Sequence, residues 1–140
     1  MFAEKIYIKI QERMNKIEND ISYDIRGAAF KVHTELGPGL LESVYETALT
    51  YELKQKGYEV KNQIGVPMIY ADIKMDVGFR LDILVNDLVI VEVKSVESLT
   101  DVHHKQLLTY LKLSNKKLGL LINFNSSSLK ESIVRIANNL

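Results

Sequence analysis

Three consecutive segments in the second half of the chain leave few architectures open. Leu88–Lys94 is a near-continuous apolar run, residues 99–113 carry Leu107, Leu108 and Leu111 at helical spacing, and residues 117–124 are apolar again. Continuous apolar runs of this length are what a strand buried on both faces requires. Two such strands joined through a helix read as a parallel crossover, because parallel neighbours need a long returning connection. The expected class is therefore α/β, a mixed β-sheet flanked by α-helices.

The rest of the chain fits around that unit. Ile6, Ile10, Met14 and Ile17 predict a helix over 3–18, and Ile25, Ala28, Ala29, Val32 and Leu36 a second over about 21–36. Gly37-Pro38-Gly39 breaks it. A third helix is expected from about Leu40 to Lys56, stopped by Gly57. Strands follow at 58–63 and 65–70, then a turn at 71–75. Residues 77–85 alternate, with Phe79, Leu81, Ile83 and Val85 expected on one face and Arg80 and Asp82 on the other. Ser126-Ser127-Ser128 suits the cap of a last helix that would bury Ile133, Val134, Ile136 and Ala137.

At 140 residues, without repeats or a linker, the chain reads as a single domain over 1–140, with residues 1–19 as an N-terminal helical extension. It has no cysteine, which excludes disulfides, thiolate metal sites and cysteine nucleophiles. No apolar run approaches ~20 residues and the charged N-terminus lacks a signal-peptide core, so a cytoplasmic protein with no membrane partner is expected. Lys plus Arg equal Asp plus Glu at 18 each, which is not a globally basic footprint. The charge is unevenly placed: residues 1–100 hold 12 basic and 16 acidic side chains, and residues 101–140 hold 6 and 2.

The residues that can carry chemistry sit where charge is most costly. Glu92 and Lys94 are two apart on the apolar strand and project from one face. An unpaired charge there costs several kcal/mol. Asp82, ten residues earlier, is also charged among apolar neighbours. Cross-strand partners share a face, so Asp82 joins Glu92 and Lys94 only if paired residue numbers in the hairpin sum to an even value. A two-residue Asn86-Asp87 turn gives an odd sum. A three-residue loop such as Val85-Asn86-Asp87, or a bulge, restores convergence and is the expectation.

Two convergent carboxylates suit a hard cation such as Mg²⁺, to which the Val93 carbonyl could add an oxygen. Lys94 would then hold or help deprotonate an attacking water. A buried ion pair between a carboxylate and Lys94 would satisfy the same residues without chemistry. Glu42 and Tyr45 lie one turn apart on the third predicted helix. Glu42 is either a further carboxylate at the metal or a first-turn acid complementing the helix dipole. Gln106 and Tyr110 are one turn apart on the crossover helix and could contact a phosphate, fix Lys94 or form an ordinary boundary pair. Adjacent His103 and His104 point in different directions and do not suit joint metal binding. No phosphate loop, dinucleotide fingerprint, nucleophile elbow or His-Glu-x-x-His is present.

Together these residues resemble the GxxExxY protein family of the PD-(D/E)xK nuclease superfamily, over roughly Ile21 to the end. Gly39, Glu42 and Tyr45 match the name-giving motif, Phe79–Val85 looks like the first acidic strand, and Val89–Lys94 like the Glu-x-Lys strand. His104–Lys112 is similar to the Gln-x-x-x-Tyr helix and Leu120–Phe124 to the final strand. The resemblance implies a restriction-endonuclease-like core with a Mg²⁺ site (Mn²⁺ substituting) and does not fix the substrate; the function expected here is a nuclease that hydrolyses phosphodiester bonds in nucleic acid, with DNA expected ahead of RNA. The resemblance implies Asp82 and Glu92, with Val93 and Glu42, at the metal, and Lys94 as the catalytic lysine. Gln106, Tyr110 and Tyr45 would support the site, with Lys105 and Lys112 holding the strand. A homodimer is compatible, since 140 residues leave little room for a recognition domain. The alternative is a catalytically weak nuclease fold used to bind nucleic acid or protein.

Overall fold

The computed structural model describes residues 1–140, except for the side chains of residues 11–16. Helix α1 runs without interruption over Phe2–Leu36, where two helices are expected from sequence. Residues 19–20 are polar but not helix breakers, and one apolar stripe passes through them: Ile6, Ile10 and Ile17 fall in line with Ile21, Ile25, Ala28 and Val32. The described residues among the first seventeen expose that stripe, whereas from Ile21 onward it is buried. Gly37 and Gly39, at φ 70° and 99°, then turn the chain into α2, Glu42–Gln55.

Five strands follow in a sheet ordered as in the sequence: β1 (Val60–Tyr70), β2 (Ile73–Val85), β3 (Val89–Lys94), β4 (Leu118–Asn123) and β5 (Ile133–Ala137). Helix α3, Asp101–Ser114, connects β3 to β4, which pair in parallel; every other pairing is antiparallel. The predicted crossover is thus present. The two short strands expected at 58–70 are one strand, and the turn shrinks to Ala71-Asp72, so Ile73–Asp76 extend β2 and lengthen the hairpin.

The expected C-terminal helix is absent. Residues 129–132 form a 3₁₀ turn and 133–137 a strand. Ile133, Val134 and Ile136 fit either period, but β4 is fully buried and needs a partner on its open side, which β5 supplies. The three serines close the preceding turn, where the Ser126 hydroxyl bonds the Ser128 backbone.

The sheet separates two cores. Ile83, Val85, Val89, Val91 and Val93 pack against α1 and α2, together with Leu118, Leu120 and Ile122. Leu81, Leu84, Ile90 and Leu121 pack against Leu107 and Leu111 of α3, with Phe79 at the edge. The single face expected for Phe79, Leu81, Ile83 and Val85 is therefore split: the first two lie on the α3 side, the last two on the α1/α2 side. The alternation breaks at Asp82.

Candidate active site at the opening of the β2–β3 ladder

Regular pairing of β2 with β3 covers only Ile83↔Val91, Leu84↔Ile90 and Val85↔Val89. All three sums are even, so the loop has three residues and Asp82 falls opposite Glu92. The loop is Asn86-Asp87-Leu88, one residue later than the example in the sequence reading. Asn86 and Asp87 both adopt positive φ, which short polar side chains tolerate.

Beyond Ile83 the ladder opens and side chains replace its hydrogen bonds. The Asp82 amide donates to Glu92 Oε1 (3.3 Å), and the Val93 amide donates to Asp82 Oδ2 (2.9 Å). In an extended strand a residue's N–H and C=O point to the same side, so the Val93 carbonyl also faces Asp82. The opposite strand, β1, kinks at the same level. Gln63 has φ 51°, its pairing with Asp82 is missing from the β1–β2 register, and its amide reaches Asp82 Oδ1 at 3.4 Å. A non-glycine residue held at positive φ within a strand is backbone strain stored beside a carboxylate. Glu46 of α2 steadies that amide at 2.7 Å, while Asn62 bonds both Glu46 and Thr50.

Glu92 is only 4% exposed. Burial, reinforced by the neighbouring Asp82 carboxylate, pushes its carboxyl up to about 9; the Asp82 amide and Lys94 pull the other way. No Lys, Arg or His forms an ion pair with either acid among the described residues. A pair of adjacent acids with no ion-pair partner, offset only by the more distant Lys94 charge, fits a divalent cation, which would supply positive charge in contact with both. The buried ion pair with Lys94, the competing reading of the sequence, does not form.

Glu42 bonds Ser95 rather than either of these acids. Its Oε1 accepts from the Ser95 amide (3.2 Å), and the Ser95 hydroxyl donates to the Leu40 carbonyl (2.6 Å). Together these bonds dock the first turn of α2 onto the end of β3. Among the described residues no group of three or more His, Cys, Asp or Glu side chains is arranged to hold a metal ion. The structure brings Asp82 and Glu92 together and ties Glu42 to Ser95, the residue after Lys94.

Tyr45 acts on the scaffold. It is fully buried, stacks on Phe124 at 4.6 Å, donates to the Gly37 carbonyl (2.5 Å) and accepts from the Leu40 amide (3.1 Å). One side chain thus pins the turn that delivers Glu42. Tyr110 stacks on Phe79 at 4.4 Å. Its phenol is pushed up by burial and by the Glu92 and Asp82 carboxylates, and is pulled down by a hydrogen bond from Gln106. Gln106 and Tyr110 therefore form one unit facing the acids. Lys105 and Lys112 are exposed on α3 without a described partner. His103 Nδ1 accepts from the Thr100 amide at the start of α3 and so closes the helix.

Four participants have no role in the sequence reading: Glu46, Gln63, Ser95 and Asn123. Asn123 is the buried polar end of an apolar strand, the kind of outlier that sequence can flag. Its Oδ1 accepts from the Val96 and Asn125 amides and its Nδ2 donates to the Val96 carbonyl, which fixes the chain leaving β3.

A five-stranded mixed sheet with helices on both faces, and an Asp and a Glu-x-Lys at the opening of its central hairpin, is a restriction-endonuclease-like fold. The family model of the PD-(D/E)XK nuclease superfamily matches residues 19–136, and the chain belongs to that superfamily. Neither the search of curated proteins nor that of solved structures returned a match. No helix among the described residues is long and apolar enough to cross a membrane.

Proposed function

We propose that this chain is a divalent-metal-dependent nuclease that cleaves DNA, of the GxxExxY branch of the superfamily. The observation that carries the reading is the pair Asp82 and Glu92, brought together where the ladder opens and left without an ion-pair partner. Asp82 and Glu92 would hold Mg²⁺ or Mn²⁺, with the Val93 carbonyl as a neutral oxygen. The bound ion would acidify a water and stabilise charge on the phosphate. Lys94 extends from the same face, where its ammonium orients the water and offsets charge on the reacting phosphate. Glu42, tied to Ser95, would accept a hydrogen bond from a water at the site. Gln106 and Tyr110 wall the acids from the α3 side, and exposed Lys105 and Lys112 offer charge to the phosphate backbone. The turn geometry around Gly39, Glu42 and Tyr45 supports the GxxExxY placement. Residues 1–140 would act as one cytoplasmic nuclease domain, with the start of α1 as its extension.

The test is cleavage of labelled single-stranded, duplex and branched DNA and of RNA, with Mg²⁺ or Mn²⁺, beside Asp82→Ala and Lys94→Ala. Metal-dependent cleavage of DNA that both substitutions abolish is expected. A metal-induced rise in Tm that Asp82→Ala removes should accompany it. Absence of both effects would overturn the nuclease reading in favour of a binding module.

A further inference from the structure

Helix α1 carries two unpartnered apolar features, one at each end. At its start, residues 1–10 are exposed throughout, and Phe2 (80%), Ile6 (43%) and Ile10 (50%) hold a stripe up to solvent that continues through Ile17. A helical arm this short is marginal in water unless its apolar side is packed. At its other end, α1 and α2 enclose a groove of ≈ 670 Å³ with Val32, Leu36, Val44, Ala48 and Tyr51 as its apolar wall. Leu36, Val44 and Tyr51 are all exposed there.

Stripe and groove lie along one side of the same helix. From Phe2 and Ile6 the stripe runs in steps of three, four or seven residues to Val32, which lines the groove. Glu35, also in the groove, is a whole number of turns from Ile17 and falls directly in line with it. The arm cannot reach the groove of its own chain. α1 is unbroken from Phe2 to Leu36, which keeps Phe2 ~45 Å along the axis from Val32.

A second copy meets both requirements. Two α1 helices set antiparallel about a two-fold axis near Asn19 bring Phe2 level with Leu36 and Ile6 level with Val32, so each stripe faces the other copy's groove. The same patch then serves both partners, as a two-fold interface demands. The charges also match. Residues 2–10 carry Lys5 and Lys9 against Glu4, whereas the groove carries Glu35 and Glu52 against Lys31. The exposed apolar surface of arm and groove together is on the order of 800 Å² per copy, one side of a stable interface of standard size.

We propose that this chain forms a two-fold dimer in which the start of α1 of each copy lies in the α1/α2 groove of the other. The mode is that of an amphipathic helix in an apolar groove, made reciprocal. It is independent of the nuclease reading.

Sedimentation equilibrium tests it. A dimer is expected at about 10 μM. Ile6→Glu with Ile10→Glu alters the arm, and Thr47→Arg places a cation in the groove where Lys5 and Lys9 arrive; each should weaken dimerisation at least tenfold. Mixed together, the two variants should associate again, because the intact arm of one meets the intact groove of the other. Pairing of arm against arm would leave the Thr47→Arg protein dimeric. Since the chain has no cysteine, Phe2→Cys with Leu36→Cys gives a second measurement: mild oxidation should link two copies, and neither single variant should cross-link. A monomeric wild type, whose groove would then serve a different protein, overturns the proposal. So does a dimer indifferent to Thr47→Arg, failure of the mixed variants to associate, or absence of the cross-link.

Discussion

Glu92→Gln is expected to make the metal-free protein more stable while abolishing metal-dependent cleavage. The carboxyl has an ordinary value of 4.5 and is pushed up to about 9 in the fold. Below pH 4.5 it is protonated folded and unfolded, and nothing is lost. Between 4.5 and 9 the folded state keeps a proton that the unfolded chain releases, so stability falls as pH rises, by about 1.4 kcal/mol per pH unit. Glutamine has nearly the same shape, retains an acceptor for the Asp82 amide and does not titrate. The stability advantage of the variant should therefore widen by about 4 kcal/mol from pH 5 to pH 8, on the order of 10 °C in Tm for a chain of this size. Urea titrations of both proteins in EDTA, at each pH, read this directly. An advantage that stays constant across that range, or shrinks with rising pH, would refute the picture of a buried, uncompensated carboxyl. Added Mn²⁺ should reverse the ranking, because only the wild-type carboxylate can hold it.

Three other perturbations test the scaffold. Tyr45→Phe keeps the stack on Phe124 but removes the bonds to Gly37 and Leu40, and should cost about 1–3 kcal/mol in urea unfolding. It should also speed amide exchange at residues 37–42. Asn123→Ala severs three hydrogen bonds at the end of β4 and should destabilise by about 3 kcal/mol, as chemical denaturation would record. Glu18 is buried on α1 with Oε2 unpartnered, and burial raises its carboxyl despite the opposing pull of Lys117 and Lys116. As with Glu92, a raised carboxyl loses stability as pH rises, so Glu18→Gln should increase Tm at pH 7 by an amount that shrinks toward pH 4.

Local pattern sufficed for much of this molecule. The apolar runs around β3 and β4, the helical spacing between them and the glycine-rich break before α2 are short-range features, and each predicts its element directly. The charged residues inside β3 were equally legible, because burying a carboxylate is costly in any fold. Even the convergence of Asp82 with Glu92 followed from the two-residue period of a strand, once a loop of odd length was required.

Tertiary context decided the rest. Residues 133–137 suit a helix or a strand, and only the open side of β4 selects the strand. The break in alternation between Asp82 and Leu81, which turns Leu81 and Phe79 to the α3 side, coincides with positive φ at Gln63, a kink that no local pattern announces. The Glu46–Gln63 support, the Ser95 tether on Glu42 and the hold of Asn123 on Val96 all join residues far apart in the chain. Their partners are chosen by how helices dock on the sheet. Residue spacing along the chain determined which side chains could be costly enough to matter; the packing of distant elements determined which of those costs were compensated and which were not.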